Sequence, residues 1–314
     1  MIGSPGVRGR SIKLFLADGT ANGVIVASIP NWTGSIIVGR SLRLNELLDR
    51  AEAERPGCYI LQGEDDSHPM GVRAYIGQAS VLRNRLLDHV RTRDWWSLAA
   101  LISTSDANFT AGHYLALESR MIQIAIENDR AKIENVRNPG EFAGNLGEAD
   151  RADLESFLDQ IRLVLPVLGV NLLTDSLARK ADSEPLLEND SPEDFQISHR
   201  SGVTADARIR ADEFIVLEGS LAIADDRYQH NGYAALRQDL ISRGVLAPNN
   251  ENTFLRFTRD TAFASSSAAA AVILNRQASG PKEWKLVNSG ISLGQWREPT
   301  QASFGTNGSG RSSE

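Results

Sequence analysis

Tyr59, Tyr75, Arg85, His89 and Glu118 are side chains that could do chemistry together. The two phenols sit in Gly57-Cys58-Tyr59 and Tyr75-Ile76-Gly77, and the chain of 314 residues holds only five tyrosines. Arg85 and His89 are four residues apart in SVLRNRLLDHV, a spacing that puts both on one face of a helix. Glu118 interrupts the apolar run of TAGHYLALESRMIQIAIEND, where an acid is either a rim residue or a ligand. The set contains two phenols, a guanidinium, an imidazole and one carboxylate, without a lysine. A lone carboxylate suits a hard divalent cation such as Mg²⁺ (or Mn²⁺), which keeps several waters and takes phosphate oxygens. Such an ion polarises a phosphoryl group, and arginine matches a phosphate with two parallel hydrogen bonds. A tyrosine of lowered pKa can serve as general base, with histidine relaying the proton. Hydrolysis of a phosphodiester uses all of these parts.

The elements that must position them follow from the local pattern. CYILQG and VRAYIG read as short strands joined by the polar turn EDDSHP. SVLRNRLLDHV reads as a helix capped by Ser80, with Leu82, Leu86 and Val90 facing inward. WWSLAALIST reads as a third strand, and the Glu118 segment as a long amphipathic helix. The order β-β-α-β-α predicts a small α/β unit, α+β in class, with a mainly antiparallel three-stranded sheet flanked by helices. Ahead of it, SIKLFLADGTANGVIVASI reads as a hairpin about Asp18-Gly19 and Asn22-Gly23, and NWTGSIIVGR as a further strand. The expected organisation is a disordered 1–10, an N-terminal β extension over 11–50 and the catalytic unit over 51–145. A helical extension over 146–177, an acidic linker over 178–200, a separate small α+β domain over 201–290 and a disordered tail over 291–314 follow.

Composition sets outer bounds. Hydrophobic residues make up 41% and charged residues 23%, ordinary for a globular protein with a real core. No apolar run approaches the roughly 20 residues that span a bilayer. The N-terminus lacks the apolar stretch of a secretory signal, so no membrane association and a cytoplasmic location are expected. The one cysteine, Cys58, excludes an internal disulfide framework and a cysteine-rich zinc site. The net charge of −7 is segregated. Arg73, Arg83, Arg85, Arg91 and Arg93 face a single acid, Asp88, in their own segment, so Arg73, Arg83, Arg91 and Arg93 are candidate nucleic-acid contacts around the site. A solvated helix face is the competing account of that island. His68 and His113 have no evident partner.

The ordered set GCY…YIGQASVLRNRL…H…LESRMI resembles the GIY-YIG nuclease domain of homing endonucleases, of a bacterial excision-repair incision protein and of some restriction enzymes. The resemblance covers roughly residues 55–136. It implies a metal-dependent endonuclease acting on DNA. Tyr59 and Tyr75 would line the site with one of them as base (Tyr59 is favoured), Arg85 would contact the scissile phosphate, and His89 would assist. Glu118 would bind the metal, and Asn135 would match a polar residue near the end of the family domain. Three departures stand out: cysteine in place of isoleucine at position 58, a longer turn between the strands, and Gln78 where many members carry lysine. A non-catalytic nucleic-acid-binding or regulatory protein on a nuclease scaffold is the alternative.

Beyond the acidic stretch, the chain from about 201 to 286 resembles a domain of unknown function often appended to GIY-YIG nucleases and restriction–modification proteins. FTRDTAFASSSAAAAVIL…EWK carries that resemblance. Arg256, Arg259, Lys282 and Lys285 are its candidate phosphate contacts, and Trp284 reads as core. No catalytic set is evident there, so a role in substrate choice is expected.

Overall fold

The computed structural model describes residues 9–135, 146–176, 193–210, 213–224 and 232–298. The protein is of mixed α+β class, with two units that have separate cores. The first unit runs β1 (Lys13–Leu16), β2 (Ile25–Ser28), β3 (Gly34–Arg40), α1 (Leu44–Leu48), β4 (Gly57–Glu64) and β5 (Val72–Ala79). It continues with α2 (Leu82–Thr92), β6 (Trp96–Thr104), α3 (Ala111–Asn128), β7 (Lys132–Ile133) and α4 (Glu148–Val164). Its seven strands form one sheet in the order β1-β2-β3-β6-β4-β5-β7. All pairs are antiparallel except β5 with β7. The expected three strands β4, β5 and β6 are therefore the middle of a wider sheet, and the N-terminal extension is continuous with it. The reason is β3, which pairs along its whole length with β6 from Gly34–Thr104 to Arg40–Leu98.

Strand β4 is buried on both faces, and its residues alternate between two cores. Cys58 and Ile60 point into the layer built by α3 and α4. Tyr59 and Leu61 point into the layer that holds Leu82 and Leu86 of α2 and Leu47 and Leu48 of α1. The long turn between β4 and β5 is closed by its own side chains. The Asp65 carboxylate accepts from the Ser67 N–H at 2.8 Å, the Asp65 N–H donates to the Gly71 carbonyl at 3.0 Å, and Gly71 takes a φ of 67°.

Helix α2 departs from expectation in two details. Its N-cap is Val81 rather than Ser80, with no side-chain cap. Val90 is 47% exposed, and His89 is buried in its place. The helical period takes the inward stripe from Leu82 through Leu86 to His89, which lies seven residues from Leu82, two turns on.

The second unit contains β8 (Asp194–Ser198), β9 (Thr204–Arg210), β10 (Glu213–Val216), β11 (Leu221–Ile223), α5 (Ala234–Ser242), β12 (Leu246–Pro248) and β13 (Phe254–Phe257). It ends with β14 (Thr261–Phe263), α6 (Ser266–Leu274), α7 (Gly280–Glu283), β15 (Lys285–Leu286) and α8 (Leu293–Arg297). Two sheets, β14-β10-β9-β8-β15 and β11-β13-β12, enclose the alanine-rich α6. Ser265 caps α6 by accepting from the Ala268 N–H at 3.1 Å. Trp284 is fully buried, and its Nε1–H donates to the Ser266 carbonyl at 3.0 Å. Strand β8 occupies part of the stretch expected as linker, because Phe195 and Ile197 alternate into the second core. Helix α8 likewise falls in the stretch expected as a tail and is anchored by buried Leu293. Most of the acidic stretch, the first eight residues and the tail from 299 lie outside the described residues.

The two units meet at the C-terminal end of α3. Asp129, which closes that helix in the left-handed conformation, pairs with Arg243 and with Arg259 (3.3 Å). Arg130 pairs with Glu213, both of them largely buried. The Ala264 N–H donates to the Pro69 carbonyl at 2.9 Å. Among the described residues no helix is long and apolar enough to cross a membrane.

Candidate active site

The β4–β5 register sets the two phenols. Tyr59 lies opposite Gly77, and Tyr75 lies opposite Leu61, so both tyrosines project from the same face one diagonal step apart. Their rings stack with centroids 6.1 Å apart. Gly77 is what lets Tyr59 lie across β5: a Cβ there would sit 2.2 Å from the Tyr59 hydroxyl. Helix α2 then lays Arg85 and His89 over this pair, as the i,i+4 spacing predicts.

The contacts are polar and directional. Tyr59 Oη and His89 Nε2 are 2.7 Å apart, and Arg85 Nε–H donates to Tyr59 Oη at 3.3 Å. Arg93 Nη1 lies 3.2 Å from His89 Nδ1, and its guanidinium stacks 4.5 Å from the Tyr75 ring centre. A guanidinium only donates, so Nδ1 accepts from Arg93 and the neutral imidazole carries its proton on Nε2. That proton is donated to Tyr59. The Tyr59 oxygen thus receives two donors, one from His89 and one from Arg85, which is how a phenolate would be held.

The electrostatics oppose that state in the free protein. Burial first, and then the neighbouring Tyr75, push the Tyr59 phenol well above its ordinary range. Burial, then Arg93 and Arg85, bring His89 down to about 4, so it is neutral at pH 7. The hydrogen bond to Tyr59 raises Arg85 further. Accessibility grades outward: Tyr59 is 0% exposed and His89 2%, Tyr75 and Arg93 are half-buried, and Arg85 is exposed.

Glu118 stands apart. It lies half-buried on α3, beside Cys58, whose thiol is raised by burial and then by the Glu118 charge. Gln78 pairs with Cys58 and by alternation faces the same layer. The backbone of β4 and β5 therefore lies between Glu118 and the phenols, and the two faces meet where β5 runs out past its pairing with β7. Asn135 braces that edge. Its Oδ1 accepts from the Ile76 N–H at 3.0 Å and its Nδ2 donates to the Ile76 carbonyl at 2.6 Å, extending the ladder one step beyond β7. Among the described residues no strand pairs with Gly77 to Ala79 on that side.

The arginine island divides on inspection of its partners. Arg73 is held by Asp65 (3.1 Å) and Glu134 (3.5 Å), Arg83 by Glu54 (2.8 Å), and Arg91 faces Asp88 (3.8 Å). Among the described residues neither Arg85 nor Arg93 has a carboxylate partner. The place of Arg93 in the site was legible in outline, since it repeats the four-residue step from Arg85 to His89. His68 bonds Asp129 at 3.3 Å, and His113 closes a capping box with Thr110, so both are structural. Among the described residues no three His, Cys, Asp or Glu side chains cluster as metal ligands. A carboxylate such as Glu118 is a donor suited to a hard cation that keeps its waters.

In the second unit, Arg259 serves the contact with Asp129, while Arg256, Lys282 and Lys285 are exposed. Residues 195–297, about a third of the chain, match the family described as Domain of unknown function (DUF4357). Neither a curated protein nor a solved structure matches the chain.

Proposed function

We propose that the first unit hydrolyses DNA phosphodiester bonds in the manner of GIY-YIG nucleases, assisted by Mg²⁺ or Mn²⁺, and that the second unit aids substrate choice. The observation that carries this reading is a pair of arginines, Arg85 and Arg93, set around a phenol–imidazole pair with no carboxylate among the described residues to neutralise them. Unspent guanidinium charge at an exposed rim is a receptor for a phosphate oxyanion.

Arg85 receives the scissile phosphate on its open edge and stabilises the charge that develops there. Tyr75, the half-buried phenol, is the one a substrate can reach, and it orients the attacking water. Tyr59 was favoured as base from the sequence, but its complete burial suits it to stand behind Tyr75 as the link to His89. Burial and then the two arginines hold His89 low, and a phosphate would offset the arginine part, so substrate binding that draws Arg93 away raises His89 and frees Nδ1 to take a proton. Glu118 would hold the divalent ion, which when bound polarises the phosphoryl group.

The position of Glu118 across the sheet from the phenols favours a second reading, a DNA-binding or regulatory module without catalysis. Incubation with plasmid, single-stranded and branched DNA, with Mg²⁺, with Mn²⁺ and with chelator, separates the two. The nuclease reading expects metal-dependent cleavage that is lost in Arg85→Ala and Glu118→Gln. Salt-sensitive binding with every substrate left intact in both metals would establish the second reading instead.

A further inference from the structure

We propose that β1 is a dimerisation edge, on which a second copy of this chain adds its own β1 antiparallel about a two-fold axis through Leu14. Strand β1 is the terminal strand of the seven-stranded sheet, and Leu14, Phe15 and Leu16 are all exposed. Among the described residues no strand pairs with its outer side; it carries no proline and no bulge, and Lys13 is its one charged residue, so the usual protections of a sheet edge are thin.

The backbone fixes which residues face outward. The Ala17 N–H donates to the Val24 carbonyl at 2.9 Å, and the pairing Lys13–Ser28, Phe15–Val26 continues that register. Antiparallel ladders alternate, so Lys13, Phe15 and Ala17 bond β2, while the N–H and C=O groups of Ile12 and Leu14 and the N–H of Leu16 point away from it. The Leu16 carbonyl already accepts from the Gly19 N–H at 3.1 Å.

Three symmetric registers use this edge, and their chemistry separates them. An axis through Lys13 sets Lys13 against its own copy, a like-charge pair. An axis through Phe15 lays Asp18 against apolar Ile12. An axis through Leu14 pairs Leu14 with Leu14 through free groups and sets Ile12 against Leu16 of the second copy, whose carbonyl is shared with the Gly19 N–H. It puts Lys13 against the Phe15 ring and brings Arg10 opposite Asp18, because these two charges flank Leu14 at equal distance in the sequence. The Ile12, Leu14 and Leu16 side chains of the two copies then form one apolar stripe on the face that already packs Ile12. This contact closes on two copies and leaves no further edge at that side.

Single cysteine substitutions read the register directly, since the one native thiol, Cys58, is fully buried. Residues on the axis have Cα atoms about 5.5 Å apart, within the range of a disulfide. Leu16 and its own copy are offset by four residues, about 14 Å. Mild oxidation is expected to cross-link Leu14→Cys into a covalent dimer and to leave Leu16→Cys without a cross-link. In sedimentation equilibrium the native chain should dimerise. Leu14→Pro, which removes only an outward N–H, and Leu14→Lys should both stay monomeric with unchanged circular dichroism. A native chain that remains monomeric at every concentration overturns the proposal. So does equal cross-linking of the Leu14→Cys and Leu16→Cys variants, or growth into assemblies larger than two.

Discussion

Arginines gather in two places in this protein, and their surroundings differ. At the junction of the two units, Arg130 meets Glu213 while Arg243 and Arg259 meet Asp129. Burial works to raise the Asp129 carboxyl, yet the His68 hydrogen bond and the Arg243 charge hold it below the usual range. Each of these three cations has an anion, so the charge is consumed in holding the units together. Over the β4–β5 face, Arg85 and Arg93 meet a phenol and an imidazole instead, and after burial their charge adds to the lowering of His89. The same side chain is cement in one setting and the proposed phosphate receptor in the other, and what separates them is whether a carboxylate is within reach.

Four substitutions or titrations break or sharpen that contrast. Arg130→Ala removes a largely buried cation that pairs with the buried Glu213 carboxylate and should lower unfolding free energy by about 3–5 kcal/mol, read by denaturant titration. Activity per folded molecule should change little. Arg85→Ala should do the reverse, with cleavage falling by about 10²–10³-fold, about 3–4 kcal/mol of transition-state stabilisation. Its melting temperature should hold, because Arg85 is exposed.

His89 gives a pH test. Its folded value of about 4 lies below the ordinary 6.5, so the folded state binds fewer protons between them. Stability should therefore rise with pH over that window, by about 3 kcal/mol from this group, and be lost as pH falls through it. His89→Gln should flatten the profile, and a phosphodiester analogue should move the His89 titration upward in NMR if the site receives phosphate. Arg83→Ala is the small-effect control: its exposed pair with Glu54 should contribute less than about 1 kcal/mol, and cleavage should stay near the native rate.

Element types in this chain were legible because they rest on local rules. Asp18-Gly19 marks a turn that takes a positive φ at Gly19, and α2 and α3 follow from apolar spacing. Spacing also put Arg85 and His89 on one helix face, and the short strand hairpin put both tyrosines on one sheet face. The partners of the arginines were not legible. Asp65 and Glu54 lie outside the basic island in the sequence, yet they neutralise two of its members. Nor could spacing say that His89, not Val90, turns inward, since that hangs on the register of α2 against the sheet.

The sequence by itself therefore determined the elements, the order of the chemical groups along them, and the DUF4357 match of the second unit, because these are properties of neighbouring residues. Tertiary structure alone decided which side of the sheet each group occupies. It buried Tyr59 and left Tyr75 within reach, put Glu118 in the other layer beside Cys58, and chose which arginines keep their charge. Those outcomes depend on pairing between segments far apart in the chain, where a shift of one residue in register moves every side chain to the opposite face.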